Sequence, residues 1–245
     1  MPEKRTVLIT GSSRGIGRAA AQKFAKDNFN VVINCCNSSN RLAEFERELK
    51  KYNHNILSFV CDVSKYEDVQ KMIEKVNLCF GGVDILINNA GISYIGLFNE
   101  MKPGIWDEII NINLKGVYNC THLVLHYMIN KKSGSVINIS SVWGSVGASC
   151  EVIYSSSKGA VNSFTKALAK ELGPCNIKVN AIACGVIETE MNDFLAENEK
   201  KSLIDEIPFT RFGKTEEVAE LAYFLASDNS NYLSGQVITL DGAWI

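Results

Sequence analysis

Tyr154 and Lys158 stand four residues apart in the helix-like run Tyr-Ser-Ser-Ser-Lys. Side chains at that spacing share one face of a helix. A phenol titrates near ~10 and is a poor proton shuttle at neutral pH, but a neighbouring ammonium lowers that value by favouring the phenolate. The pair is therefore a candidate for acid–base work. A second feature, Thr10-Gly-Ser-Ser-Arg-Gly-Ile-Gly17, directly follows an apolar β-like run and opens a helical one. Gly11, Gly15 and Gly17 allow a tight turn and close approach of a pyrophosphate, and the helix start offers free N–H groups with partial positive charge. Ser13, Arg14 and Ile16 belong to the same turn.

The adenosine ribose of a dinucleotide is read after the second strand, by an acid for a free 2′-hydroxyl or a base for a 2′-phosphate. Here that strand ends Asn34-Cys-Cys-Asn-Ser38, with no acid, while Arg14 and Arg41 are near. The reading is NADP(H), with NAD(H) as the alternative. Asn37 is a further candidate contact.

These residues need a scaffold that gathers them. Short apolar runs near 6–10, 30–33, 56–61, 83–88, 135–140, 177–182 and 237–240 alternate with helix-length segments near 15–27, 39–52, 65–79, 104–130, 152–172 and 216–226. Several runs are continuous Val/Ile/Leu, as strands covered on both faces should be. The expected fold is one doubly wound α/β domain over 1–245, with a seven-stranded, mostly parallel sheet and helices on both faces. The connection 186–212 follows a strand's C-terminal end, where ligands bind in such sheets, and reads as a substrate lid.

Composition narrows the function classes. Hydrophobic residues make up 46% and charged residues 21%, which excludes a disordered chain. A net charge of −2 leaves no basic field for a nucleic-acid backbone. No apolar run is long enough to span a membrane, and the start lacks a signal-peptide pattern, so a cytoplasmic protein is expected. The eight cysteines are scattered with no Cys-x-x-Cys pair, which fits reduced thiols. His122 and His126 have zinc-helix spacing but no Glu between them, and no metal site is expected.

Taken together, the motifs resemble those of the short-chain dehydrogenases/reductases along the whole chain. Thr10–Gly17 looks like the family's cofactor turn, and Asp62-Val63 like its adenine-contacting pair. Asn88-Asn89-Ala90-Gly91 is similar to its motif after the fourth strand. Asn113 matches the active-site asparagine, and Ser141, 13 residues before Tyr154, the catalytic serine. Gly185, Ile187 and Thr189 match positions near the nicotinamide and pyrophosphate, while Cys184 replaces the family's usual proline. Arg211-Phe-Gly and Leu240-Asp-Gly look like the 3-oxoacyl-carrier-protein reductase branch. The resemblance implies an NADPH-dependent carbonyl reductase. Tyr154 would be the general acid, Ser141 would polarise the carbonyl, Lys158 would hold the ribose, and Asn113 would anchor a proton-relay water. It also implies a homotetramer.

The substrate, a ketone or alcohol free or attached to a carrier or protein, is less legible. Ser93, Tyr94, Trp143, Cys150, Glu151 and Met191, with the lid, are candidate pocket residues. A carboxylate at Glu151, three before Tyr154, suits an amine-bearing substrate better than a neutral thioester arm. The stretch 141–151 also resembles the reductases of the 5-aminopentanone modification on elongation factor P. A 3-oxoacyl thioester and that amino-ketone are both open. So is a non-catalytic NADP-binding regulator, although such proteins tend to lack the tyrosine or lysine. Surplus apolar residues on segments 104–130 and 152–172, such as Leu114, Val117, Leu123, Val124, Val161, Phe164 and Leu168, suggest subunit packing.

Overall fold

A computed structural model describes residues 4–193 and 195–245. Seven strands form one sheet: β1 (Thr6–Ile9), β2 (Asn30–Cys35), β3 (Ile56–Val60), β4 (Ile85–Asn88), β5 (Gly134–Ser141), β6 (Ile177–Cys184) and β7 (Val237–Leu240). Their order is β3-β2-β1-β4-β5-β6-β7, and all six pairings are parallel rather than mostly so. Both faces are covered, which is why β1, β2, β4, β5 and β6 are buried at every position. The order reverses between β1 and β4, so the crevice at the strands' C-terminal ends opens there.

One face carries α1 (Gly15–Lys26), α2 (Ser39–Leu49) and, near the chain end, α9 (Thr215–Ala226). Ala19, Ala20 and Ala21 of α1 and Ala219, Ala222 and Ala226 of α9 are small and buried, so these helices seat closely on the sheet around Phe24. Full burial of Phe24 and Phe45 contributes roughly 1.5–3 kcal/mol each. The other face carries α3 (Tyr66–Phe80), α4 (Pro103–Ile110), α5 (Gly116–Lys131) and α7 (Val152–Leu172), with the short α6 (Trp143–Val146) leading into α7.

Two differences from the sequence reading bear on the site. The segment 104–130 is not one regular helix. A π turn, Asn111–Lys115, joins α4 to α5, with the Gly116 N–H bonded to the Asn111 carbonyl. The extra residue swings Asn113 fully inside. The apolar pattern runs across the turn unbroken, so period alone does not reveal it. The connection 186–212 is also not a bare loop. It contains a 3₁₀ turn, Glu190–Asn192, and α8 (Glu197–Glu206). No α8 residue is buried; a helix without an apolar stripe gives no periodic signal. Its start is held by the Glu199 carboxylate accepting from the Ala196 N–H at 2.8 Å. Phe194 and the first three residues lie outside the described residues.

The apolar surplus is mostly internal. Val117, Val124, Val161 and Leu168 are buried within the chain, and Leu123 and Phe164 pack against that core. This corrects their assignment to subunit packing: the π turn and the long α7 pack on one another as well as on the sheet. Tyr118, against the Phe164 ring at 4.8 Å, and Ile129 remain exposed.

Candidate active site

A cavity of about 760 Å³ runs along the C-terminal ends of the strands, within the ~300–1,000 Å³ usual for small-molecule sites. One end is built by the glycine turn. Gly11 adopts φ +62°, and a Cβ there would lie 2.8 Å from the Ala90 Cα. A Cβ on Gly17 would meet the Asn89 amide at 2.5 Å. The turn thus packs directly on the Asn89-Ala90-Gly91 loop. That loop is strapped in place: the Thr10 hydroxyl accepts from the N–H groups of Asn89 and Ala90, and the Asn89 side chain donates to the carbonyls of Thr10 and Gly11. Helix α1 has no side-chain cap and no acid in its first turn, which leaves its N–H groups facing the cavity for an anion.

Gly11, Ser13, Arg14, Gly15, Ile16, Asn37, Asp62, Val63, Asn89, Ala90, Gly91, Gly185, Ile187 and Thr189 all line this cavity, as do Ser93, Ser141, Trp143, Glu151, Tyr154, Lys158 and Met191. Gly17 and Asn113 stand behind the wall. Tyr94 and Cys150 do not line it. Tyr94 is exposed, and Cys150 takes a left-handed φ of +63° at the turn before α7. The Asp62 carboxylate is taken up locally by the Ser64 N–H and hydroxyl.

At the other end, β5 delivers Ser141 and α7 delivers Tyr154 and Lys158. Burial pushes the Tyr154 phenol above its ordinary range, the nearby Glu151 carboxylate adds to the rise, and the neighbouring Ser141 hydroxyl pulls the other way. Lys158 is 5% exposed and donates from Nζ to the Ile139 carbonyl at 2.8 Å. Burial brings its ammonium down to about 8. Its Nζ lies 5.7 Å from the Tyr154 ring centre. The expected lowering of the phenol by Lys158 is not found: burial and Glu151 raise it, and Ser141 is what acts downward.

Asn113 is spent on positioning. Its Oδ1 accepts from the Ile92 N–H at 2.9 Å, and its Nδ2 donates to the Ile92 carbonyl at 2.9 Å and to the Ser157 hydroxyl at 3.1 Å. The π turn is thus tied to both the β4 loop and α7. Cys184, paired in register with Ser141, is buried, and its thiol is pushed up to about 12. Burial thus disfavours the thiolate that redox chemistry at this position would need. His122 rests on the Tyr66 ring, and His126 is hydrogen-bonded to Asn130.

Several site residues escape sequence reasoning. Asn34 accepts from the Gly11 N–H and donates to the Cys35, Phe59 and Cys61 carbonyls, fastening the glycine turn to β2 and β3. A lone amide inside Val-Val-Ile-Asn-Cys was its only signal. Trp244, from the chain's far end, packs edge-on against Trp143 at 5.0 Å and closes the pocket. Glu190, on the other lip, pairs with both Arg14 and Arg41.

A strand-end crevice with an uncapped helix start at one end and a Ser–Tyr–Lys cluster at the other defines a dinucleotide-dependent oxidoreductase. The sequence profile of the short chain dehydrogenase family matches residues 5–200, and the chain belongs to that family. It is 41% identical to the 3-oxoacyl-[acyl-carrier-protein] reductase FabG of Thermotoga maritima, over 99% of this chain and 98% of the relative. The crystal structure of a 3-oxoacyl-[acyl-carrier protein] reductase from Brucella melitensis superposes with a TM-score of 0.93 at 34% identity, covering 99% of this chain and 92% of that one. A putative gluconate dehydrogenase from Agrobacterium tumefaciens gives 0.94 at 30% identity, with 98% and 95% covered. No helix among the described residues is long and apolar enough to cross a membrane.

Proposed function

We propose that the protein is an NADPH-dependent carbonyl reductase acting on a 3-oxoacyl thioester presented by a carrier protein. The observation that carries this reading is the convergence of Ser141, Tyr154 and Lys158 on one end of the cavity that begins at the uncapped start of α1. The similarity to 3-oxoacyl-[acyl-carrier-protein] reductases supports the substrate class. When bound, the dinucleotide supplies a hydride to the carbonyl carbon. The glycine turn and the α1 N–H groups would hold its pyrophosphate, Arg14 and Arg41 its 2′-phosphate, and Lys158 its nicotinamide ribose. The Ser141 hydroxyl donates to the carbonyl oxygen. Tyr154 gives its proton to the developing alkoxide, a role for which a phenol protonated through neutral pH is suited. Asn113 positions Ile92 and, through Ser157, α7. A single domain over 1–245, a homotetramer and a cytoplasmic location belong to the same proposal.

One observation favours a second substrate. The Glu151 carboxylate accepts from the Ser93 hydroxyl inside the cavity and acts electrostatically on Tyr154. A fixed anion beside the reacting carbonyl suits a ketone with a terminal amine, such as the 5-aminopentanone modification of elongation factor P. NADPH consumption with a 3-oxoacyl thioester and with an amino-ketone of similar length separates the two. On the thioester reading the thioester turns over faster, and Glu151→Gln leaves its rate within about 2-fold. On the amino-ketone reading the amine substrate is faster, and Glu151→Gln lowers its kcat/KM by about 10-fold or more, the loss expected for one charge-assisted hydrogen bond. Reduction of neither ketone would sink both substrate readings.

A further inference from the structure

Glu190 bridges two arginines, one of which lines the cavity with it. Its Oε2 accepts from Arg14 Nη1 at 2.9 Å, and both its oxygens accept from Arg41 Nη1 at 2.9 Å. The three residues come from three parts of the chain: the glycine turn, the first turn of α2, and the 3₁₀ turn of the 186–212 connection. Arg14 and Glu190 line the cavity, as do Asn37 and Ser38 just beyond β2, where the adenosine ribose is read in this fold class. Among the described residues neither arginine forms another ion pair. Two guanidiniums that hold a carboxylate are equally a site for a phosphate monoester, which brings a larger charge, about −1.5 to −2, and a third acceptor oxygen. The grip is felt by the carboxylate itself: Arg41 and then Arg14 hold Glu190 below the usual carboxylate range.

We propose that Glu190 is a built-in competitor for the 2′-phosphate of the cofactor. In the free protein it neutralises Arg14 and Arg41 and hooks the start of the 186–212 connection across the adenosine end of the crevice. Binding of NADP(H) exchanges one anion for the other and unhooks that connection. A cofactor without the 2′-phosphate offers the arginines nothing in exchange and leaves the hook closed. Glu190 thereby sets how strongly the protein tells the two cofactors apart, and the inference rests on the NADP(H) reading above.

The test isolates the adenosine end. The full chain and its Glu190→Gln variant are titrated calorimetrically at low ionic strength with adenosine 2′,5′-bisphosphate and with 5′-AMP. Exposed ion pairs are individually weak, and the three side chains are 62%, 46% and 43% exposed. The expected result is that Glu190→Gln tightens the bisphosphate by about 3- to 10-fold and leaves 5′-AMP within about 2-fold. Equal tightening of both ligands would make Glu190 a steric strap, and no tightening of either would make it an idle surface pair. Either result overturns the competitor. If neither the parent nor Glu190→Gln prefers the bisphosphate over 5′-AMP, the NADP(H) reading itself falls, which is distinguishable from a parent preference that Glu190→Gln leaves unchanged.

Discussion

Carbonyl reduction by the Tyr154→Phe variant falls by about 10³-fold, while its melting temperature and dinucleotide affinity stay close to those of the parent. The substitution removes one oxygen and no ring. The packing of α7 beside the cavity is therefore kept, and the hydroxyl that neighbours Ser141 is what disappears. Loss of a positioned general acid typically lowers the rate by about 10²–10⁴-fold. Two measurements read the outcome: steady-state NADPH consumption, and a thermal melt with and without NADPH. A variant that binds NADPH normally and still turns over at more than a tenth of the parent rate would remove Tyr154 from the proton-transfer role. A protein whose biological effect survived the substitution would instead be a nucleotide-binding regulator. The phenol's direction of shift adds a second signature. Because burial and Glu151 raise it, the proton donor stays loaded through neutral pH. Reduction should not fall with pH there on account of Tyr154, whereas alcohol oxidation, which needs the phenolate, should rise with pH.

The frame of the molecule is readable from residue periodicity because the sheet is covered on both faces. Continuous Val/Ile/Leu runs such as Val31–Ile33 and Ile85–Ile87 can only sit between two layers, and α7 begins and ends at the residues its amphipathic pattern marks. The glycine turn, Tyr154 and Lys158 are legible from spacing along the chain and Ser141 from the family resemblance, and all of them line one cavity or stand just behind it. The residues that escape are those whose partners are distant. Asn34 matters through carbonyls on β3, Trp244 through Trp143, and Glu190 through two arginines at the opposite side of the crevice. Spacing carries no trace of such pairs. The π turn fails for another reason: one extra residue changes the direction of Asn113 without interrupting the apolar pattern.

The site is also polar where the fold would prefer apolar filling. The Asn88 side chain donates to Asn138 and Thr121, and Asn138 donates in turn to Thr165. These buried amides and hydroxyls run beneath the catalytic end and link β4, β5, α5 and α7, so the elements that deliver Ser141, Tyr154 and Lys158 cannot slide independently. Among the described residues the Asn88 Oδ1 has no partner, and an unsatisfied buried acceptor is the kind of cost that collects near functional sites.

Lys158 is the sharpest instance of that conflict, and the Lys158→Met variant should be more stable than its parent and nearly inactive. The ammonium is 5% exposed and forms no ion pair among the described residues; it donates to the Ile139 carbonyl. Burial lowers it from 10.5 to about 8. At neutral pH the lysine is therefore charged in both the folded and the unfolded chain, and folding carries the full penalty of about 3 kcal/mol that such a displacement represents. Between about 8 and 10.5 the unfolded chain holds the proton more tightly, so this residue makes stability rise with pH through that window. A methionine fills similar volume without the charge. After allowing about 1 kcal/mol for the orphaned Ile139 carbonyl, the variant should gain about 2 kcal/mol, or roughly 4–8 °C in Tm, at pH 7. The gain should shrink as pH rises from about 8 toward 10.5, as the folded lysine is already neutral and the unfolded one loses its proton. Activity should fall by about 10²–10⁴-fold, the range for loss of a positioned catalytic group. Melting curves of both proteins at pH 7 and pH 10 decide the matter. A variant that is less stable than the parent at pH 7 would show that the buried ammonium stabilises the fold, and that Lys158 is held there by packing rather than against it.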